Sequence, residues 1–375
     1  MHYYNILDLA RVRSEIPLRE LNSFRTRPFD GHEDIVVRCR GGFRSGPRFD
    51  RGVLDGKHSL SYVEHLGSLG ATVLIESKER IDVEVNWMLK YSNAVLYVNV
   101  IEPLLRLVLA EKGFALLHGA SLSRKDKAVI LSAPPDTGKT TTVLKCLIRA
   151  WFSFMSDDMT ILGPDRTVYS FPKPFTISAH TYASLVSGDL KTRGLKNKLK
   201  LRIKSYVHSR TGRRVLRLVG ELNLPILTLN AIGQMVVRPP KIFVEDLVRN
   251  VTVKSTAEAV AVCLLRKRGE KVTVAAPDEA LDELLFNSED AFGFPPYSEI
   301  FHKLTIKGKT ALEILREEKR LLRSLASSVE CFRLHSDSRN WDLMVNQIMD
   351  EILAPVTPMV ETAPVILEPA VPARR

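Results

Sequence analysis

Cysteine is scarce in this chain: the 375 residues include four, Cys39, Cys146, Cys263 and Cys331. They are widely separated and form no Cys-x-x-Cys or Cys/His pair with metal-ligand spacing. That excludes a finger-type zinc site and favours reduced, buried thiols over a disulfide framework. Long apolar runs are also missing. The stretch nearest to the ~20 residues that a membrane helix needs, residues 93–110, is interrupted by Glu102 and Arg106. No membrane span is expected. The opening Met1-His2-Tyr3-Tyr4-Asn5 has no basic segment ahead of an apolar run, so a cytoplasmic setting is expected. Segment 190–217 lacks acidic residues altogether while holding eleven Lys and Arg, which equals the formal net charge of +11 for the whole chain. The basic balance therefore belongs to one segment, and the rest is formally neutral.

What remains is an ordinary globular composition, with 45% hydrophobic and 26% charged residues, ample for a sizeable core. The organisation expected is a strand-rich region at 1–100, a core at 101–300 carrying the basic insertion 190–217, helices at 301–353, and a disordered proline-rich tail at 354–375. Strands are expected at 35–39, 71–75, 81–85 and 94–98, the third from strict alternation. Pro103 opens a helix pattern that Gly113 ends. Residues 115–122 and 128–131 read as strands around a turn, and 138–150 as a helix. Further on, 198–207, 226–229 and 235–237 read as strands, and 256–265, 309–326 and 341–353 as helices.

The chemistry concentrates after residue 132. Ala133-Pro134-Pro135-Asp136-Thr137-Gly138-Lys139-Thr140 fits the phosphate-loop pattern G-x-x-x-x-G-K-[ST], with alanine at the first glycine. A strand precedes it and a helix follows. Backbone N–H groups at such a helix start point at anionic oxygens. Gly138 permits close approach, Lys139 supplies a charge for the terminal phosphates, and the Thr140 hydroxyl suits Mg²⁺. The nucleotide-binding set is Pro135, Asp136, Thr137, Gly138, Lys139, Thr140 and Thr141. Pro134 and Pro135 lack N–H donors, and the Asp136 carboxylate has to point away from a phosphate.

Asp157-Asp158 follows a strand-like Phe154-Met155-Ser156, eighteen residues after Lys139. One helix and a turn fill that gap, which allows a parallel strand beside the loop. A twisted strand end would bring one carboxylate to Mg²⁺ and the other to an acceptor hydroxyl; the plainer reading is a polar strand cap. His118, in Leu116-Leu117-His118-Gly119-Ala120, reads either as a satisfied core residue or as a group that meets a phosphate or tunes a carboxylate.

His118-Gly119, then Thr137-Gly138-Lys139-Thr140, then Asp157-Asp158 resembles the catalytic core of the HPr kinase/phosphorylase family, over roughly residues 114–175. The resemblance implies an α/β fold with α+β character. Its core is a β-rich, mixed-sheet P-loop kinase core of the HPr kinase and phosphoenolpyruvate carboxykinase type. It also implies ATP and Mg²⁺ as cofactors, transfer of the γ-phosphate to a hydroxyl, and homo-oligomers. Lys139 and Thr140 would bind nucleotide and metal, Asp157 would act as general base, Asp158 would support the metal, and His118 would line the phosphate site. The acceptor class expected is a peptide, protein or small molecule. Other functions compatible with the same loop are a nucleotide sensor without catalysis and a P-loop ATPase working on a partner. The basic segment reads as a solvated insertion or as a dock for an acidic partner. With Tyr206 its only aromatic residue, it is not a base-stacking surface for nucleic acid.

Overall fold

The computed structural model describes residues 1–29, 31–40, 49–56, 59–66, 68–134, 137–176, 225–236, 241–288 and 292–354. The expectations for the basic segment, for the strand at 198–207, for Pro135 and Asp136, and for the tail from 355 on lie outside these residues. The fold is mixed α/β, built on two large sheets.

The N-terminal sheet holds eight strands: β1 (His2–Ile6), β2 (Ala10–Ser14), β3 (Arg25–Thr26), β4 (Ile35–Cys39), β5 (Phe49–Gly56), β6 (Ser59–Leu66), β7 (Thr72–Ser77) and β8 (Ile81–Val85). Their spatial order is β3-β1-β2-β4-β8-β7-β6-β5, with β2–β4 and β4–β8 parallel and the other pairs antiparallel. In β8, Ile81, Val83 and Val85 are buried while Asp82 and Glu84 are half-exposed, the alternation expected of a strand with one wet face. Helix α1 (Trp87–Tyr91) follows.

Helix α2 (Asn93–Glu111) is long and apolar enough to cross a membrane by length and composition, yet 72% of its apolar window is buried inside the protein. Val100, Leu104, Leu107 and Val108 share one core with Ile6, Val12, Val37, Val73 and Val83 of the N-terminal sheet. The same core takes in Leu116, Met159 and Ile161 of the second sheet. A helix between two sheets needs apolar residues all round. That explains why 94–98, expected as a strand, is helical: a short apolar run has no period that separates a buried strand from a buried helix. The helix also runs through residue 100. Glu102 and Arg106, the charges that interrupt the run, are both paired, with Lys173 at 2.6 Å and Glu318 at 2.7 Å.

The second sheet is built from β9 (Ala115–His118), β10 (Ala120–Arg124), β11 (Lys127–Ser132), β12 (Ser153–Ser156), β13 (Met159–Leu162), β14 (Thr167–Tyr169), β17 (Thr256–Arg266), β18 (Glu270–Val274) and β21 (Glu330–Ser336). Between them lie two short antiparallel pairs, β15 (Phe175–Thr176) with β16 (Lys241–Ile242) and β19 (Thr305–Ile306) with β20 (Lys309–Thr310). The main pairings close on themselves. β10 pairs β11, β11 pairs β17 in parallel, β17 pairs β14, β14 pairs β13, and β13 runs back into β12, which pairs β10. The strand expected at 115–122 is thus two strands, broken at Gly119.

Helix α3 (Lys139–Ile148) leaves the loop after β11; later come α4 (Ile226–Val236), α5 (Val244–Leu247), α6 (Pro277–Ser288), α7 (Tyr297–Ile300), α8 (Ala311–Ser328) and α9 (Trp341–Leu353). Val129 and Leu131 of β11 pack with α3 and α9, through Val143, Leu147, Trp341 and Ile348. Ala128 and Ile130 join α6 and α8, through Leu281, Leu284, Leu322 and Leu325. In β17, Ala261, Cys263 and Leu265 belong to the first core, and Val262 and Leu264 to the second. Burial on both faces erases alternation, which is why 256–265, expected as a helix, is a central strand.

The apolar pieces 226–229 and 235–237, expected as strands, fall in the single helix α4 as far as residue 236, and residue 237 lies outside the described residues. Glu64 of β6 decides this. Its carboxylate, fully buried, accepts from Leu227 N at 3.1 Å, Thr228 N at 2.6 Å and Tyr62 Oη at 2.7 Å. It satisfies the free N–H groups of the first turn. Glu64→Ala is expected to destabilise the protein by about 3 kcal/mol, because those donors are then buried unpaired. Urea unfolding checks this; a change under about 0.5 kcal/mol would deny Glu64 the capping role. Helix α8 begins at Ala311, not 309, because Thr310 forms a capping box with Glu313.

Candidate active site

The strands carrying His118 and the acidic pair form one antiparallel ladder with a gap. Met159 pairs His118 on one side of the gap and Ser156 pairs Ser121 on the other. Asp157 and Asp158 therefore face Gly119 and Ala120 where the ladder opens. A Cβ on Gly119 would lie 3.1 Å from Leu131 O, so the chain crosses the end of β11 at backbone contact distance. Thr160 Oγ1 fastens this corner, donating to Gly119 O at 2.9 Å. The parallel relation foreseen between the acidic strand and the loop's strand is present with β10 between them.

The loop leaves β11 through Ala133 and Pro134. Thr137 turns it, with N and Oγ1 both donating to Pro134 O, at 3.3 and 2.7 Å. Gly138 stands at φ +132°, and a Cβ there would lie 3.0 Å from Trp341 Cζ3 of α9. Both facts require glycine. Gly138→Ala is expected to cost about 2 kcal/mol in unfolding free energy. Calorimetric unfolding tests this; an alanine variant of native stability would mean that neither the backbone angle nor Trp341 constrains the loop.

Helix α3 then presents three groups in order. Lys139 Nζ is buried and has no hydrogen-bond partner among the described residues. Thr140 Oγ1 donates to Asp157 Oδ2 at 2.9 Å. Thr141 is half-buried in the same turn. Asp157 Oδ1, on the far side of that carboxylate, is buried and unpartnered. A buried ammonium and a buried carboxylate oxygen, both unsatisfied, are costly features. They fit a ligand that brings an anionic oxygen to one and a hydroxyl donor to the other.

Charge separates the two aspartates. Burial pushes Asp157 up to about 7, with Asp158 adding to the rise and Lys139 and Thr140 opposing it. Asp158 also feels burial, but Lys173, His118 and Lys139 outweigh it and hold the carboxyl well below the usual carboxylate range. Lys173 Nζ reaches Asp158 Oδ2 at 2.8 Å, and His118 Nε2 stands 3.7 Å from Oδ1. His118 is pushed down to about 4, chiefly by the charge on Lys139 and then by burial, so it is neutral near pH 7. Burial likewise lowers Lys139, with Asp158 and Asp157 countering it.

His118, Thr137, Gly138, Lys139, Thr140, Asp157 and Asp158 thus converge. Three contributors carry no sequence motif: Lys173; Asn287, whose Nδ2 donates to Ser132 Oγ at 2.9 Å beside the loop; and Ser288, whose Oγ accepts from His118 N at 3.3 Å. Only Lys173, a charge between two prolines, carries any hint in the sequence. Among the described residues no group of three or more His, Cys, Asp or Glu forms a metal cage. A hydroxyl beside carboxylates suits a Mg²⁺ ion that keeps water and phosphate oxygens as its other ligands.

No family model matches this chain, and no curated protein matches it. Among solved structures, the Hpr(Ser) kinase/phosphatase from Coxiella burnetii aligns with 63% of this chain and 95% of its own length, at 8% identity and a TM-score of 0.25. At that score, activity has to be argued from the site's own residues.

Proposed function

We propose that the protein is an ATP-dependent phosphotransferase that moves the γ-phosphate to a hydroxyl of a peptide, protein or small-molecule acceptor. The observation that carries this reading is a pair of buried groups without a hydrogen-bond partner among the described residues, Lys139 Nζ and Asp157 Oδ1, the second on the carboxylate that accepts from Thr140. Phosphoryl transfer asks a protein for positioning and charge more than for covalent chemistry. Lys139 and the N–H groups at the start of α3 hold the terminal phosphates. Thr140 and Asp158 would hold Mg²⁺, which supplies charge neutralisation to those phosphates.

Asp157 is the proton acceptor in this reading. Its Oδ2 accepts from Thr140, its Oδ1 is buried without a hydrogen-bond partner among the described residues, and its affinity for a proton is matched to neutral pH, as a general base requires. Asp158 is ionised throughout that range, as a metal ligand requires. Transfer by the wild type should then fall about tenfold for each pH unit below 7.

Incubation with γ-labelled ATP, Mg²⁺ and cell extract tests the reading. Label on a protein, peptide or small molecule is the result expected. Free phosphate alone would point to an ATPase, and nucleotide bound without turnover to a sensor; either would overturn the transferase reading.

A further inference from the structure

Lys173 lies in Phe171-Pro172-Lys173-Pro174, a segment without regular structure between β14 and β15. Its side chain is 7% exposed and bridges two carboxylates, Glu102 Oε2 at 2.6 Å and Asp158 Oδ2 at 2.8 Å. The Tyr97 ring centroid lies 5.4 Å from Nζ. Glu102 and Tyr97 both belong to α2, the helix between the two sheets.

A structural ion pair needs one carboxylate. This bridge has a second, and the second belongs to the candidate site. Among the described residues Asp158 has no other close anchor: its side chain is 44% exposed, and its Oδ1 meets His118 Nε2 at 3.7 Å. Without Lys173, nothing else on the described residues holds that carboxylate in one rotamer.

The segment carrying Lys173 is itself held from the N-terminal side. Phe171 packs on Phe24, with ring centroids 5.2 Å apart, and Pro172 O accepts from Ser23 Oγ at 2.9 Å. Lys241, which follows in β16, pairs with Glu20 of the same 3₁₀ turn, Arg19–Phe24. The prolines on either side of Lys173 fix their own φ and restrict the residue before each. The ammonium is therefore held between α2 and the site, and the N-terminal turn holds the two residues before it, Phe171 and Pro172.

We propose that Lys173 is a positioning residue that holds the Asp158 carboxylate beside the phosphate loop, and that Glu102 and the 19–24 turn hold Lys173, making the N-terminal layer part of the transfer site. The proposal rests on the phosphotransferase reading and deepens it. It assigns to residues 1–111 a role that no motif in them announces.

The test uses the full chain and MgATP as probe, with calorimetric affinity and release or transfer of γ-labelled phosphate as readouts. Lys173→Met should cut turnover about 100-fold, the scale of a lost electrostatic contact in a transfer site, while MgATP affinity stays within about threefold. Lys173→Arg, which keeps the charge and can bridge two carboxylates, should recover at least about a tenth of the turnover. Lys173→Met leaves Glu102 buried and unpaired, so the double variant Lys173→Met/Glu102→Gln removes that penalty. It should fold as well as the wild type and still turn over slowly. In its crystal structure the Asp158 carboxylate should have left the position beside His118.

Normal turnover in the folded double variant, or an Asp158 carboxylate that has not moved, would overturn the proposal. So would a loss of MgATP affinity equal to the loss of turnover, because that describes general damage to the loop. A wild type that binds no MgATP would instead bring down the phosphotransferase reading, and the position of Asp158 in the double variant would still decide the role of Lys173.

Discussion

Lys139→Met is expected to lower γ-phosphate transfer at least about 100-fold and to leave the protein as stable as the wild type or more so. The two effects have one origin. Lys139 Nζ is buried without a hydrogen-bond partner, and burial already weakens its hold on a proton. An ammonium in that position costs desolvation free energy that no neighbour repays in full. Methionine fills nearly the same volume without the charge. Stability and function therefore run in opposite directions at this residue, as they do where a site is built for a ligand.

The same substitution has a second readout. The charge on Lys139 is the largest cause that holds His118 down at about 4. Removing it should return His118 by at least about one unit toward its ordinary value near 6.5. Titration of the His118 ring protons by NMR measures this. A histidine that still titrates near 4 in the methionine variant would mean that Lys139 does not face it.

Asp157→Asn is the second large effect. Its carboxyl stands at about 7 in the folded protein, against about 4 in an unfolded chain. Between those values the folded state holds a proton that the unfolded state has released. Stability is therefore fully present below about pH 4 and declines as pH rises to about 7. Three units amount to about 4 kcal/mol at most, borne by the ionised wild type above pH 7. Asparagine keeps the shape and never ionises. The variant should match the wild type near pH 4, exceed it by a few kcal/mol at pH 8, and lose transfer about 100- to 10,000-fold as a general base is removed. MgATP affinity should change little. Denaturant unfolding at the two pH values checks the sign; a variant less stable at pH 8 would mean that Asp157 is ionised and well solvated in the folded protein.

Much of the site was legible because its chemistry is local. Gly138, Lys139 and Thr140 are adjacent, and a strand before them and a helix after them are short-range patterns. Asp157 and Asp158 were legible from their distance to Lys139. Lys173 was not, because its meaning lies in partners 71 and 15 residues away, Glu102 and Asp158. Asn287 and Ser288 reach the loop only through the packing of α6. In the fold, residues 81–85 and 341–353 were plain, since each has one buried face. Residues 94–98 and 256–265 were misread for the opposite reason: each packs apolar side chains on more than one side, at 95–97 and at 261–265, so no single period marks its element. Residues 226–236 needed Glu64, which caps the helix from a strand 163 residues away.

In the proposed reaction the bend before α3 grips the terminal phosphates of a nucleotide. Calorimetric titration of the wild type and Lys139→Met with MgATP tests it most directly. One saturable site in the wild type, weakened at least about tenfold in the variant as expected for a lost charge-assisted contact, is the result this account requires. Equal affinity in both proteins, or no binding by the wild type, would contradict it.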